Sequence, residues 1–315
     1  MKERIIELDF VKGILISLMV LFHLTLFTTA YGWLTNWVYA FHMSGFLLIS
    51  GYLQKNSHDF LQVKKAVRKI FLPYLVFEMV YLTGLAFMGA TLGSQNHVEL
   101  SWAIVTNRLF IEPIGTYWYL HTLFICVIVC FICDKFCKNT FVALLLAGCV
   151  LFILTMCING LKWGNVIYFL IGNFIQRLNL KITYCVIPTM CAVIPISLIS
   201  LYAIDLSREE ISGIGLTYLM LSFLMALCFH VFSWVRNLSI YLGKNSLCIV
   251  LFSPIFTVLT KFYAPVLNFD STHVLWAIIS MFLVICMCLL GALICDKLKL
   301  SQLIMGNVMY QKYGK

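Results

Sequence analysis

The sequence predicts an all-α integral membrane protein: a polytopic bundle of about ten transmembrane helices in a single domain over residues 1–315, with both termini cytoplasmic. Three observations carry this. First, 62% of the residues are hydrophobic and only 11% are charged, whereas a soluble chain has about a quarter charged. Too little polar surface is left for a fold in water, and the lipid bilayer is the expected solvent. Second, the apolar residues come in continuous runs without strand-like alternation, so helices are the spanning element. At roughly 20 residues per span plus short turns, the length holds about ten. Third, the basic residues sort to one side. With the N-terminus inside and strict alternation, the cytoplasmic side collects Lys2, Arg4, Lys12, Lys55, Lys64, Lys65, Arg68, Lys69, Lys135, Lys138, Arg177, Lys181, Arg236, Lys244, Lys297, Lys299, Lys312 and Lys315. The outer side receives only Arg108, Lys162, Arg208 and Lys261. That is the asymmetry of the positive-inside rule, and one span more or fewer would scramble it. The net charge of +9 therefore serves orientation, and nucleic acid is not an expected partner.

The spans follow in order. The first, 10–32, carries Asp9 and Lys12 near its cytoplasmic mouth and His23 deep inside; its length and these interruptions set it apart from a cleaved signal peptide. The second, 36–54, has His42 near its outer end beside Tyr39 and Phe41. The third, 70–92, follows the basic cluster 64–69 and contains Glu78, the one acidic residue deep in any span. The outer segment 93–116, with Trp102, Arg108 and Glu112-Pro113, is the longest outside. The fourth span, 117–133, opens on Trp118-Tyr119 and is followed by a fifth at 140–158. In the fourth, Cys126, Cys130, Cys133 and Cys137 form one stripe, which without His or acidic co-ligands reads as packing by small residues and not as a metal site. The sixth, 163–177, is the weakest, being short and holding Asn165, Gly172 and Asn173; a tilt, break or re-entrant turn is expected there. The seventh to tenth are 182–203, 213–235, 245–263 and 272–295. His121 and His230 read as packing or interfacial residues, and Asn245 with Ser246 as a helix cap after a turn at Gly243.

Ionisable residues inside spans are costly and point to function. Lys12 and His23 are eleven residues apart, which on an α-helix is about 20° beyond whole turns and a rise of about 16 Å. One stripe thus joins a cation at the inner mouth to an imidazole well across the membrane, with Asp9 a turn before Lys12. Glu78 should be paired or protonated, with Lys12 or His23 as reasonable partners.

The motif Arg4-x4-Asp9-x2-Lys12-Gly13 followed by His23 resembles the integral membrane acyltransferase-3 family, whose first helix carries a basic residue, ten residues and a histidine. The Lys-Gly form is similar to the fucose 4-O-acetylase-related sugar O-acetyltransferases. Further matches come in chain order: Phe41-His42-Met43-Ser44-Gly45-Phe46 through Ser50-Gly51-Tyr52-Leu53, Arg68-Lys69-Ile70-x2-Pro73-Tyr74, Trp118-Tyr119-Leu120, and Leu242-Gly243-Lys244-Asn245-Ser246-Leu247. Two positions depart from the pattern: Ser44 stands where Pro is usual, and Ser253 where a His often follows.

The resemblance implies transfer of an acyl group, usually acetyl from acetyl-CoA, to a carbohydrate hydroxyl on the outer face of a bacterial plasma membrane. The residues suit that task. A phosphate-bearing cytoplasmic donor needs cations at the inner mouth, supplied by Lys12, Arg68, Lys69 and Lys244. A sugar hydroxyl needs a base as it attacks the thioester, and imidazole is the side chain matched to neutral pH. His23 is the expected general base or transient acyl carrier, with Asp9 orienting or neutralising Lys12. His42, Glu78, Trp118 and Tyr119 are the candidates for acceptor contacts. No tightly bound cofactor is expected beyond the acyl-CoA donor substrate. A transporter or flippase of a lipid-linked sugar or small metabolite is the alternative, although paired broken helices and inverted repeats are not legible.

Overall fold

Every regular element is a helix or helical turn, and among the described residues there is no strand. The computed structural model describes residues 5–54, 59–92, 101–202, 206–267 and 269–312. Lys2, Arg4, Lys55, Lys315 and residues 93–100 of the long outer segment lie outside the described residues.

The first expected span is interrupted. Helix α1 (Ile6–Leu21) stops before His23, and α2 (Thr25–Ala30) is a separate short turn leading into α3 (Gly32–Leu53). Two side chains build the break. The His23 Nδ1–H donates to the Met19 carbonyl at 2.6 Å, an acceptor that a continuing helix would give to the His23 N–H, which turns instead to Val20. The Tyr39 hydroxyl donates to the Phe22 carbonyl at 2.6 Å.

Next come α4 (Phe60–Ala66), a π-type segment Val67–Phe71 and α5 (Leu72–Leu92). Pro73 has no N–H to give the carbonyl four residues back, and the helix widens just before it. α6 (Trp102–Phe110) crosses the end of the bundle before α7 (Trp118–Phe136) and α8 (Thr140–Cys157). α9 (Trp163–Arg177) is continuous, so the sixth span is not broken as expected. Its small residues make a close crossing: a Cβ on Gly172 would stand 1.9 Å from the Leu48 carbonyl oxygen of α3, and one on Gly51 would stand 2.0 Å from that of Phe169. The interruption falls in the seventh span, where α10 (Ile182–Cys185) and α11 (Val193–Tyr202) flank Pro188, which disfavours helix at the residue before it.

α12 (Ile211–His230) is followed by α13 (Ser233–Lys244), a helix where a cytoplasmic loop was expected. It lies on α1 through a second reciprocal crossing: a Cβ on Gly13 would stand 1.8 Å from the Ser239 carbonyl oxygen, and one on Gly243 would stand 1.8 Å from that of Asp9. Gly243 is thus a close-approach residue inside a helix and not the hinge of a turn. α14 (Ser246–Leu259), α15 (Val274–Lys297) and α16 (Leu300–Met305) complete the chain.

Six helical stretches among the described residues are long and apolar enough to cross a membrane: Val63–Phe87, Gly115–Phe136, Thr140–Cys157, Ile211–His230, Ser246–Leu267 and Val274–Lys297. α8 and α15 are apolar on every side and turn residues such as Leu145, Ile153, Ile278 and Phe282 outward, as helices in lipid do. The other four expected spans fall short by length or polarity. α1, α9 and α11 are under 18 residues, and α3 is long but rich in polar and small residues. Of these, α1, α3 and α9 form much of the interior, where α1 buries Phe10, Val11, Leu15, Ile16 and Met19, whereas α11 turns Ile194, Leu198 and Leu201 outward.

Candidate active site

The two ends of α1 present two groups of side chains. At one end, Lys12 Nζ lies 2.7 Å from Asp9 Oδ1, an i,i+3 ion pair that is mostly buried. The α1–α13 crossing sets Gly243 on the Asp9 backbone and carries Lys244 to this end. Arg68 and Lys69 are exposed in the π-type segment, and the Arg68 guanidinium packs beside Gly306, just after α16. The same end is fastened by the C-terminal segment. The Asn245 side chain donates to the Gln311 carbonyl at 3.0 Å and accepts from its N–H at 2.8 Å, while Asp296 accepts from the Met309 and Tyr310 N–H groups. Asn245 therefore does more than cap a helix.

At the other end, Tyr39 stacks on His42 and lies tilted beside His23. The ring centroids are 6.0 Å apart for His23 and Tyr39, and 5.3 Å for Tyr39 and His42. The His42 Nδ1–H donates to the Val38 carbonyl at 2.8 Å. A carbonyl only accepts, so both imidazoles carry a proton on Nδ1, and Nε2 is the basic nitrogen of each in its neutral form. His42 is 1% exposed, and its Nε2 makes no hydrogen bond to the described residues. Ser253, at the position where the resembling pattern often has a His, lies against Met19, with Oγ 3.9 Å from the sulfur.

Beside this stack opens a cavity of about 690 Å³. Trp33, Asn36, Trp37 and Tyr39 of α3 line one wall, and Lys162, Asn165, Ser200 and residues 206–210 line the other. Tyr39 stands between the cavity and His23. The Trp37 indole donates to Ser200 at 2.7 Å. Arg208, an outer charge in the sequence with no motif around it, is held here: Nη1 donates to Asn165 at 3.0 Å and its guanidinium carbon lies 5.5 Å from the Trp118 ring centre. Burial pushes its pKa below the ordinary arginine value, against opposing pulls from Tyr168, Glu209 and Tyr39.

The remaining expected site residues lie elsewhere. Tyr119 is buried, its hydroxyl 2.8 Å from that of Ser50. Glu78 does not pair with Lys12 or His23; its Oε1 accepts from the Ile114 N–H at 2.8 Å, beneath the turn that leads into α7. This corrects the expectation and has a physical reason: a backbone donor in a tight turn needs a partner, and α5 brings the carboxylate to it. The His121 Nε2–H, close by, donates to the Phe110 carbonyl at 3.0 Å. One strong feature went unread in the sequence. Arg177 of α9 makes a two-pronged pair with Asp134 of α7, at 2.7 and 3.1 Å, and also donates to Asn173 and to the Thr140 carbonyl. In the sequence Arg177 reads only as a cytoplasmic charge, and Asp134 stands just past the fourth span with no motif around it. Cys126, Cys130 and Cys133 are buried free thiols along α7.

Compared with models of protein families, residues 5–293 match the acyltransferase domain of the acyltransferase-3 family. The chain belongs to the acyltransferase-3 family. Comparison with curated proteins and with solved structures finds no match. For an acyltransferase-3 protein, the two ends of α1 gain a chemical meaning: a histidine with a free basic nitrogen at one, and a buried cation at the other. Membership supports a multi-pass membrane acyltransferase and does not favour the transporter reading.

Proposed function

We propose that this acyltransferase moves an acetyl group from cytoplasmic acetyl-CoA to a hydroxyl of a cell-surface or exopolysaccharide sugar, as in the fucose 4-O-acetylase-related members it resembles. The observation that carries the reading is the His23 geometry: Nδ1 is committed to Met19, so Nε2 is left to take a proton. The acceptor hydroxyl gives its proton to Nε2 as its oxygen attacks the thioester carbonyl. The C–S bond then breaks, and the imidazolium returns the proton to the departing CoA thiolate. In the relay version, Nε2 itself attacks the thioester carbonyl and the C–S bond breaks to release CoA thiolate; the sugar oxygen then takes the acetyl group from the imidazole as the hydroxyl proton passes to the thiolate, which restores the neutral histidine.

The Lys12 end is the proposed donor side. Lys12 is held by Asp9 and joined by Lys244, with Arg68 and Lys69 as outlying cations for the phosphates. The cavity is the proposed acceptor side. Exposed Trp33 offers an aromatic face for a sugar ring, and Asn36, Asn165 and Ser200 offer hydrogen bonds. With Tyr39 as the partition, the reacting hydroxyl reaches His23 past its ring, and His42, buried and stacked on Tyr39, backs that ring. Ten spans with both termini cytoplasmic, in a bacterial plasma membrane, put these two ends on the required sides. Membranes carrying the wild-type chain, given acetyl-CoA labelled in the acetyl group, should leave label on polysaccharide. Movement of the sugar with no covalent product would instead favour transport.

A further inference from the structure

The acceptor-side cavity holds a cation that proton transfer at His23 does not use. A guanidinium offers five N–H donors in a planar fork. In Arg208, one edge is engaged by Asn165 and one face by Trp118. Among the described residues, Nε and Nη2 make no hydrogen bond, and no carboxylate lies within ion-pair distance. The fork is fixed, with one edge free beside a cavity. Lys162 adds a second positive charge on the wall. Two carboxylates share the rim; Glu209 acts on Arg208 electrostatically, and neither makes an ion pair with it. The Glu209 side chain lies across Gly164, occupying the space a Cβ would need, and Glu210 accepts from the Ser212 hydroxyl at 3.4 Å. A desolvated arginine fork held by stacking and one amide is the arrangement that recognises a planar or tetrahedral anion.

We propose that Arg208 selects an acceptor sugar bearing an anionic group, a carboxylate or a phosphate, on the part of the ring held away from His23. The inference deepens the acyl-transfer reading, yet sugar binding is measurable without transfer. Purified full-length protein in detergent is titrated with glucuronic acid, glucose 6-phosphate and glucose, following tryptophan fluorescence, since Trp33 and Trp37 line the cavity and Trp118 lies under Arg208. At least one anionic sugar should bind at least tenfold more tightly than glucose, and whichever of the two binds better names the group. Arg208→Gln should remove that advantage and leave glucose binding unchanged, while Arg208→Lys should restore part of it. Equal affinity for all three sugars, no binding of either anion, or an equal loss for all three in Arg208→Gln despite an unchanged gel-filtration profile, would overturn it. The two claims fail separately. Acetylation of an anionic sugar that Arg208→Gln leaves undiminished contradicts anion selection alone, whereas transfer retained in His23→Ala contradicts the acyl-transfer reading alone.

Discussion

His23 draws its proposed role from what its other nitrogen does. Because Nδ1 serves Met19 and so helps to end α1, the side chain is at once a structural stop and a free base. His23→Gln can keep an N–H for the Met19 carbonyl but offers no basic nitrogen. It should therefore insert and fold, yet transfer acetyl about 10²–10⁴-fold more slowly, as would His23→Ala; turnover on inserted protein is the check. The wild-type rate should fall once the pH is lowered far enough to protonate Nε2, because protonation removes the base. Lys12→Ala should raise the KM for acetyl-CoA while leaving acceptor binding unchanged, and it leaves Asp9 without its ion-pair partner. His23, Lys12 and Asp9 were legible because a span admits few ionisable residues. Arg208 was not, since an arginine between two spans looks like any outer charge until Trp118 and Asn165 are found around it.

Among the described residues, two reciprocal glycine crossings, Gly13 with Gly243 and Gly51 with Gly172, bring helix backbones into direct contact. Small residues let backbones meet where side chains would hold them apart. Gly243→Ala puts a methyl group against the Asp9 carbonyl and should cost about 1–3 kcal/mol, read as a lower detergent melting temperature, with donor affinity falling because Asp9 and Lys12 shift together. The Arg177–Asp134 pair joins α9 to α7 in the interior. Arg177→Met strands a buried carboxylate and should cost about 3–5 kcal/mol, most of which Asp134→Asn in the same chain should recover. Helix class and most span positions were readable from hydropathy, since that pattern is what lipid demands. Two features, one break and one continuity, were not. The stop after Leu21 comes from hydrogen bonds to side chains, one of them from Tyr39 on α3, and the sixth span stays whole because Gly172 and Asn173 serve packing and the Arg177 network. α13 was hidden because it is short and amphipathic, with Arg236 and Lys244 in its sequence.

At the scale of the molecule, the strongly apolar α8 and α15 lie largely exposed, while α1, α3 and α9, shorter or more polar, are largely buried. Those inner helices fall below the length or hydropathy of a free-standing span because their neighbours, and not lipid, cover them. The sorting of basic residues predicts which end faces the cytoplasm. Single cysteines in a cysteine-free background should show it: position 162 should react with a membrane-impermeant thiol reagent added outside intact cells, and position 138 only after the cells are opened. The central claim, acetyl transfer through His23 to a surface sugar, is tested most directly by mass spectrometry of surface polysaccharide from cells carrying the wild-type chain, the His23→Ala chain at equal membrane abundance, or neither. Acetyl esters should appear with the wild type only. Equal acetylation in all three, or undiminished acetylation with His23→Ala, would contradict it.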